Sequence, residues 1–432
     1  MRKTLISFAP LALCAFAGAA FAEESNVSVY GTLDSAIANI QHALNFDPYH
    51  PVSNNPTVTQ GTQSATGILN GGLSATKWGV RGDEDMGGGL RAFFLLEQGF
   101  SLGSGNINNA AEGLANNTAT GPNMSADSAI SGQFFNRGAY VGISSSTWGS
   151  LSLGRQQSFF LDNIVIFDPL LGSQAFSPLG FSGSYGGGGF TDDSRVDNSL
   201  KYKLNVGDFY LGALYKFGGV AGSSNAQSAY ELNAVYASGP LAVQVGWEKF
   251  DDSFSLSNAT GTGTLKATAA NTNSYMAAVK YTLATTTLRA GFEREDFNNP
   301  SNPTADQAVT SIFGYALSAP ASVTSYNNEK TLNVFWLGAA QDFTPAVTAL
   351  LGLYHVAQND YACTSSTAKG CSGALNYYSL VGDYHFSKRT DTYFGLMLSN
   401  VSGGPANAVL NKAPLASENT NRIVALGLRH VF

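Results

Sequence analysis

Charge is scarce in this chain. Lys, Arg, Asp and Glu make up 12% of its 432 residues, about half the ~25% of a soluble globular domain. Cysteine is almost missing, with only Cys14, Cys363 and Cys371. The five histidines are not spaced from those cysteines as metal ligands would be. Lys plus Arg number 23 against 30 acids, and the pI is about 5.2, so the cationic footprint of a nucleic-acid binder is absent. Beyond residue 22 there is no run of ~18 apolar residues, which excludes a membrane-spanning helix. No Gly-x-Ser-x-Gly elbow stands with a plausible His and acid. The Gly-rich run from Gly183 to Gly189 lacks the strand-turn-helix setting of a phosphate loop.

Glycine and ring side chains, in contrast, are plentiful: 48 Gly, 27 Phe and 19 Tyr. Such an aromatic content argues against disorder. Met1-Arg2-Lys3 forms a short basic start, Leu5 to Phe21 is apolar or small, and Ala20-Phe21-Ala22 has the form of a cleavage site. Residues 1–22 therefore read as a secretory signal peptide and 23–432 as one mature domain. Without the two leader cations, 21 Lys plus Arg face 30 acids, a net charge of −9. Cys14 lies inside the leader after Leu13, which is not a lipid-attachment context. Cys363 and Cys371 then read as one small-loop disulfide of an exported chain.

The mature chain alternates. Arg195, Asp197, Ser199, Lys201 and Lys203 fall on one face of a strand, while Val196, Leu200, Tyr202 and Leu204 fall on the other, with Asn198 as the exception. The same period runs through Val27–Asn39, Tyr230–Ala237, Leu241–Lys249, Ser274–Leu283, Thr286–Glu295, Leu375–Phe386 and the last segment to Phe432. Short turns are expected at Asp85–Gly88, Ser146–Gly149, Gly207-Asp208, Gly239-Pro240, Ala284-Thr285, Phe343–Pro345 and Lys388-Arg389. Long loops are expected at about 42–73, 101–132, 160–193, 219–227, 251–272, 297–327, 359–373 and 401–420. Seven turns and eight loops make fifteen connections, hence sixteen strands. An antiparallel transmembrane β-barrel with turns at one end and loops at the other follows, because only helices and closed barrels satisfy every backbone group in lipid. A soluble sandwich would need a packed core where charges recur here.

Six stretches carry a resemblance. They are Ser28-Val29-Tyr30-Gly31-Thr32-Leu33-Asp34, Lys77 to Asp85, Asn136 to Gly142, Trp148 to Gln156, Arg195 to Tyr202, and Gly427 to Phe432. In this order they resemble the general diffusion porins of Gram-negative bacteria, particularly the β-proteobacterial type. Two positions depart from the pattern: His430 stands where an aromatic is usual, and the loop after Phe159 has fewer acids than some relatives. The resemblance implies a homotrimer of barrels whose third long loop, here Phe160–Asp193, folds inward. It implies a constriction with Lys77, Arg81, Arg137, Arg155 and Arg195 on the wall, facing Asp162 and Asp168 on the loop. Asp192 and Asp193 would lie at the loop's exit, and Glu97 would anchor its base by hydrogen bonds. Phe432 would be the signal read by barrel-assembly machinery.

The function implied is a water-filled channel for passive diffusion of small hydrophilic solutes and ions, with no catalysis, cofactor or metal. The partners implied are outer-membrane lipid, lipopolysaccharide and the assembly machinery, and no nucleic acid. Candidate wall cations outnumber certain loop acids, so the constriction leans toward anions. A substrate-specific channel, for example for sugars, is the main alternative: Phe93 and Leu95, sharing a face with Glu97, would supply its apolar surface. A barrel enzyme or an adhesin is less favoured, since no lipid-facing Ser-His pair is found.

Overall fold

The computed structural model describes residues 23–43, 63–103, 105, 134–181, 195–251, 255–256, 267–268, 271–299, 301, 309–312, 315–321, 329–359, 372–403 and 420–432. The leader, the Cys363–Cys371 pair, Asp192 and Asp193 lie outside the described residues.

The wall is built from antiparallel strands. They begin with β1 (Glu23–Ala43), β2 (Gln63–Asn70), β3 (Lys77–Gly87), β4 (Leu90–Gly99), β5 (Gly138–Ser145) and β6 (Gly149–Gln157). Two helices follow, α1 (Phe159–Phe167) and α2 (Pro178–Phe181). Next are β7 (Arg195–Val206), β8 (Phe209–Lys216), β9 (Ala229–Ser238) and β10 (Leu241–Phe250). A small hairpin, β11 (Ser255–Leu256) and β12 (Ala267–Thr268), precedes β13 (Asn271–Leu283) and β14 (Thr286–Asn298). A second hairpin, β15 (Val309–Ile312) and β16 (Tyr315–Ala321), precedes β17 (Lys330–Thr344), β18 (Val347–Gln358), β19 (Gly373–His385), β20 (Thr390–Gly403) and β21 (Thr420–Val431). All seven expected turns join neighbouring wall strands. Among the described residues no helix is long and apolar enough to cross a membrane.

The sheet closes where Thr32–Ile40 of β1 pairs with Ile423–Val431 of β21. On its other edge β1 pairs first with β3 and then with β2. These two strands share one place in the wall, which therefore has sixteen strand positions. The expected loop 42–73 is corrected here: its last part, Gln63–Asn70, is strand. A kink at Asn70–Thr76 separates it from β3. Gly71 has φ +80°, a region closed to most side chains. The buried Asp34 carboxylate accepts from the amides of Gly72 (3.0 Å), Leu73 (3.0 Å) and Ser74 (2.7 Å), and from the Tyr393 hydroxyl (2.5 Å). Three of the kink's backbone donors are thus satisfied by one side chain, and the Gly71 amide by the Asp34 carbonyl (2.9 Å).

Alternation gives each strand two faces. Val245, Leu337, Leu380, Phe394 and Leu426 are each more than half exposed and point outward, as a lipid-facing band requires. The inward face differs around the barrel. In β17 to β21 and the second half of β1 it is largely apolar, with Val334, Trp336, Tyr354, Val381, Met397 and Ile40 buried. In β3 to β7 it carries charges and small residues, with Phe93, Leu95 and Tyr140 among them.

The connection between β6 and β7 covers the apolar part. Ser158 caps α1, its Oγ accepting from the Leu161 amide (3.1 Å). Phe160, Ile164 and Phe167 of α1, with Leu170, Phe176 and Leu179, join the inward apolar residues in one core. Backbone carbonyls of the segment accept from Trp336 Nε1 (at Phe167, 3.0 Å), Arg289 Nε (at Ile166, 2.9 Å) and Ser379 Oγ (at Phe176, 2.6 Å). A Cβ on Gly395 would stand 2.3 Å from the Phe176 ring, so glycine there lets the ring lie against the wall.

Candidate functional site

Between the start of α1 and strands β3 to β7 lies a cavity of about 320 Å³. β3 contributes Lys77 and Arg81, β4 contributes Phe93, Leu95 and Glu97, and Arg137 enters just ahead of β5. Lys201 and Lys203 reach in from β7, and Asp162 from the first turn of α1.

The charges form two clusters. Glu97 accepts from Arg137 Nε (2.8 Å) and the Tyr30 hydroxyl (2.9 Å), and Lys77 Nζ lies 3.0 Å away. Asp162 Oδ2 accepts from Lys201 Nζ at 2.8 Å, with Lys203 Nζ at 3.5 Å. Lys201 also donates to the Gln157 carbonyl (2.7 Å) and sits 4.0 Å over the Phe159 ring. Burial opposes ionisation of Asp162, but the two lysines outweigh it and hold the carboxyl below its usual range. Arg81 differs from the other four cations. Its Nε donates to Ser28 Oγ (3.3 Å), its Cζ lies 5.0 Å over the Tyr30 ring, and no carboxylate pairs with it among the described residues. Five cations thus face two carboxylates around one cavity.

Lys77, Arg81, Arg137, Glu97 and Asp162 come together as the sequence suggested. Three other candidates do not line the cavity. Arg155 is buried, paired with Asp197, and donates from Nε to the Asn136 carbonyl (2.6 Å). The cause is a bulge between β6 and β7: the register shifts between Gly154 and Gln156, with Gly154 at φ +135° and Asn198 at φ +51°. Arg195, at the outer end of the same irregularity, is also buried, near enough to act on Lys77 and Glu97 electrostatically. Asp168 is 0% exposed and does not face the cavity. Its Oδ1 accepts from the Tyr354 hydroxyl (2.6 Å) and its Oδ2 from the Gly172 amide (2.7 Å), which fastens the end of α1 to the wall.

Glu97 was expected to anchor the loop, and its partners correct that: Tyr30, Lys77 and Arg137 all belong to the wall side. The loop base is held instead by Glu231, which accepts from the Phe159 amide (2.6 Å), and by Asn233, which accepts from Asn163 (2.9 Å). Lys201 and Lys203 were missed as site residues, although their place on the polar face of β7 was the available signal. Phe432 exchanges backbone hydrogen bonds with Gly31 (3.0 and 3.1 Å) and lays its ring beside that glycine. Outside the cavity, Asp383, His385 and Asp391 place one possible metal-ligand atom each within 4.8 Å of one another. Arg429 Nη2 already reaches two of them, Asp391 at 3.0 Å and Asp383 at 3.6 Å.

A family model described as Gram-negative porin matches residues 9–404. An outer membrane porin protein of Bordetella pertussis is 27% identical over 455 residues, covering 100% of both chains. Among solved structures, an anion-selective porin from Comamonas acidovorans has a TM-score of 0.63 at 19% identity, covering 95% of this chain and 100% of its own. The outer membrane protein OmpT of Vibrio cholerae, in a trimer form, has a TM-score of 0.57 at 15% identity, with coverage of 95% and 100%.

Proposed function

The chain belongs to the Gram-negative porin family and is an outer-membrane channel for passive diffusion of small hydrophilic solutes, and on that premise we propose that the cavity between α1 and β3–β7 is its constriction and favours anions. One observation carries the reading: Lys77, Arg81, Arg137, Lys201 and Lys203 surround the cavity, and among the described residues Glu97 and Asp162 alone balance them. The segment from Ser158 to Phe181 folds into the lumen and narrows it. Low-dielectric walls focus the field of the excess cations across the passage. An anion arriving from water exchanges part of its hydration for contacts with these heads, and a cation is repelled. Because Glu97 and Asp162 already engage four of the five cations, no solute is held tightly, as conduction requires.

The remaining parts of the reading follow the family. The protein assembles as a homotrimer in lipid and lipopolysaccharide, residues 1–22 are removed on export, and the strand ending at Phe432 is read by the assembly machinery. Conductance of purified, unheated protein in a planar bilayer under a salt gradient tests the selectivity. A zero-current potential of the sign given by chloride permeation is expected, and the opposite sign overturns the proposal.

A further inference from the structure

The cavity contains something that ion passage does not call for. On β4 the inward side chains between Arg91 and Glu97 are Phe93 and Leu95, and both line the cavity together with Tyr140. The Phe93 and Tyr140 rings meet edge to face at 6.3 Å. Phe93 stands opposite Gly142, where a Cβ would be 2.4 Å from its ring, and a Cβ on Gly138 would be 2.7 Å from Leu95. The wall is thinned beneath these side chains, so they lie down on backbone and present an apolar floor. Water on such a floor is poorly placed, and a hydrated inorganic ion gains nothing there. Leu95 pairs across the ladder with Arg81 on one side and Tyr140 on the other. Arg81 is also the cation without a carboxylate partner among the described residues.

We propose that Arg81, Phe93, Leu95 and Tyr140 form a weak transit subsite for small organic anions with an apolar body, aromatic monocarboxylates above all. The carboxylate meets the Arg81 guanidinium, whose planar fork suits two parallel hydrogen bonds. The ring lies over Leu95 and Phe93 with the edge of Tyr140 beside it. This rests on the cavity being the constriction.

The test compares sodium salts of benzoate and acetate in planar bilayers. By size alone benzoate is the slower anion. With the subsite, benzoate permeability exceeds that of acetate by roughly two- to tenfold, the range one ring contact supplies. Phe93→Ser, and separately Leu95→Asn, are expected to return the order to that of size. Each variant is scored only where open channels show that it folds. Acetate ahead of benzoate in the wild type overturns the subsite, as does an unchanged ratio in both variants. The chloride-over-sodium potential of the wild type, read in the same bilayers, tests the constriction separately. A cation sign there sinks the selectivity reading, whereas an anion sign with acetate leading sinks only the subsite.

Discussion

From β17 round to the second half of β1, the inward positions hold Trp336, Tyr354, Val381, Met397 and Ile40, all under the cover of the α1–α2 segment. From β3 to β7 the inward positions hold Lys77, Arg81, Glu97, Lys201 and Lys203 around open space. The outward faces of both regions are alike, so lipid does not explain the difference. Each half does what the other cannot. Large apolar side chains bury against Phe160, Phe167 and Phe176 and fix a long connection without hydrogen-bonded strands. Charged side chains are costly to bury unpaired, and Glu97 and Lys201 are buried here in ion pairs beside the cavity. The inner side of one region is occupied by its own cover, and the cavity lies against the other. Asp162 is where the two regimes meet: it rides on the covering helix and is held by the lysines of the open half.

The comparison breaks most severely on the apolar side. Phe176→Ala or Trp336→Ala removes a large buried ring, which in a core costs about 3–5 kcal/mol. The cover is expected to loosen while the wall, held by its own ladders, stays closed. Single-channel conductance should rise, and protease should cut within 158–181. Unaltered conductance together with an uncut segment would show that the cover does not depend on these rings.

On the open side, a unit charge about 6 Å from the ion path in a water-like dielectric is worth about 0.7 kcal/mol. Lys201→Gln with Lys203→Gln should therefore cut anion preference roughly tenfold, about 1.4 kcal/mol for two charges, read as a shift of the zero-current potential toward zero. A smaller effect is expected from Ser379→Ala, which deletes the 2.6 Å hydrogen bond to the Phe176 carbonyl. Such a bond contributes about 1 kcal/mol, so the rate of cleavage in the cover should rise about fivefold with selectivity unchanged.

The smallest effect joins the two halves. Because the Asp162 carboxyl is held below its usual range, its pairing supports the docked cover above the ordinary aspartate pKa of about 3.9. That support is lost as pH falls through the lowered value. Protonation also removes one negative charge, so anion preference should be level from pH 7 to about 4 and rise roughly threefold below it. Asp162→Asn should give the higher preference at neutral pH and no acid step. A step that survives the substitution would assign the titration to another group.

Most of the wall was legible because alternation and turn chemistry are local. The seven turns and the strand faces follow from residues close together in sequence. β2 escaped because Gln63–Asn70 is short, polar and rich in small residues, and it becomes strand only by pairing with Ser35–Ala43 of β1. Lys77 and Arg81 were readable on a strand of regular alternation, and Arg137, just ahead of β5, came from the family resemblance. Arg155 and Arg195 were misplaced because the bulge at Gly154 and Asn198 breaks the period on which such reading depends. Asp168 was misplaced for another reason: its partner, Tyr354, lies 186 residues away, and no local pattern announces a tertiary hydrogen bond. Phe93 and Leu95 were visible as a face. Their thin backing at Gly142 and Gly138 was not.

The closing seam between β1 and β21 has a consequence for biogenesis. The first strand of the wall finds its final partner about 390 residues later, at Ile423–Val431. Contacts so distant in sequence are the slowest to form. Until the last strand arrives, every nascent or truncated form of the wall keeps two open β-edges, the feature most prone to pairing with foreign strands. Maturation is therefore all-or-none with respect to chain length: synthesis must finish before the cylinder exists, and the waiting edges need an escort or a template throughout that interval.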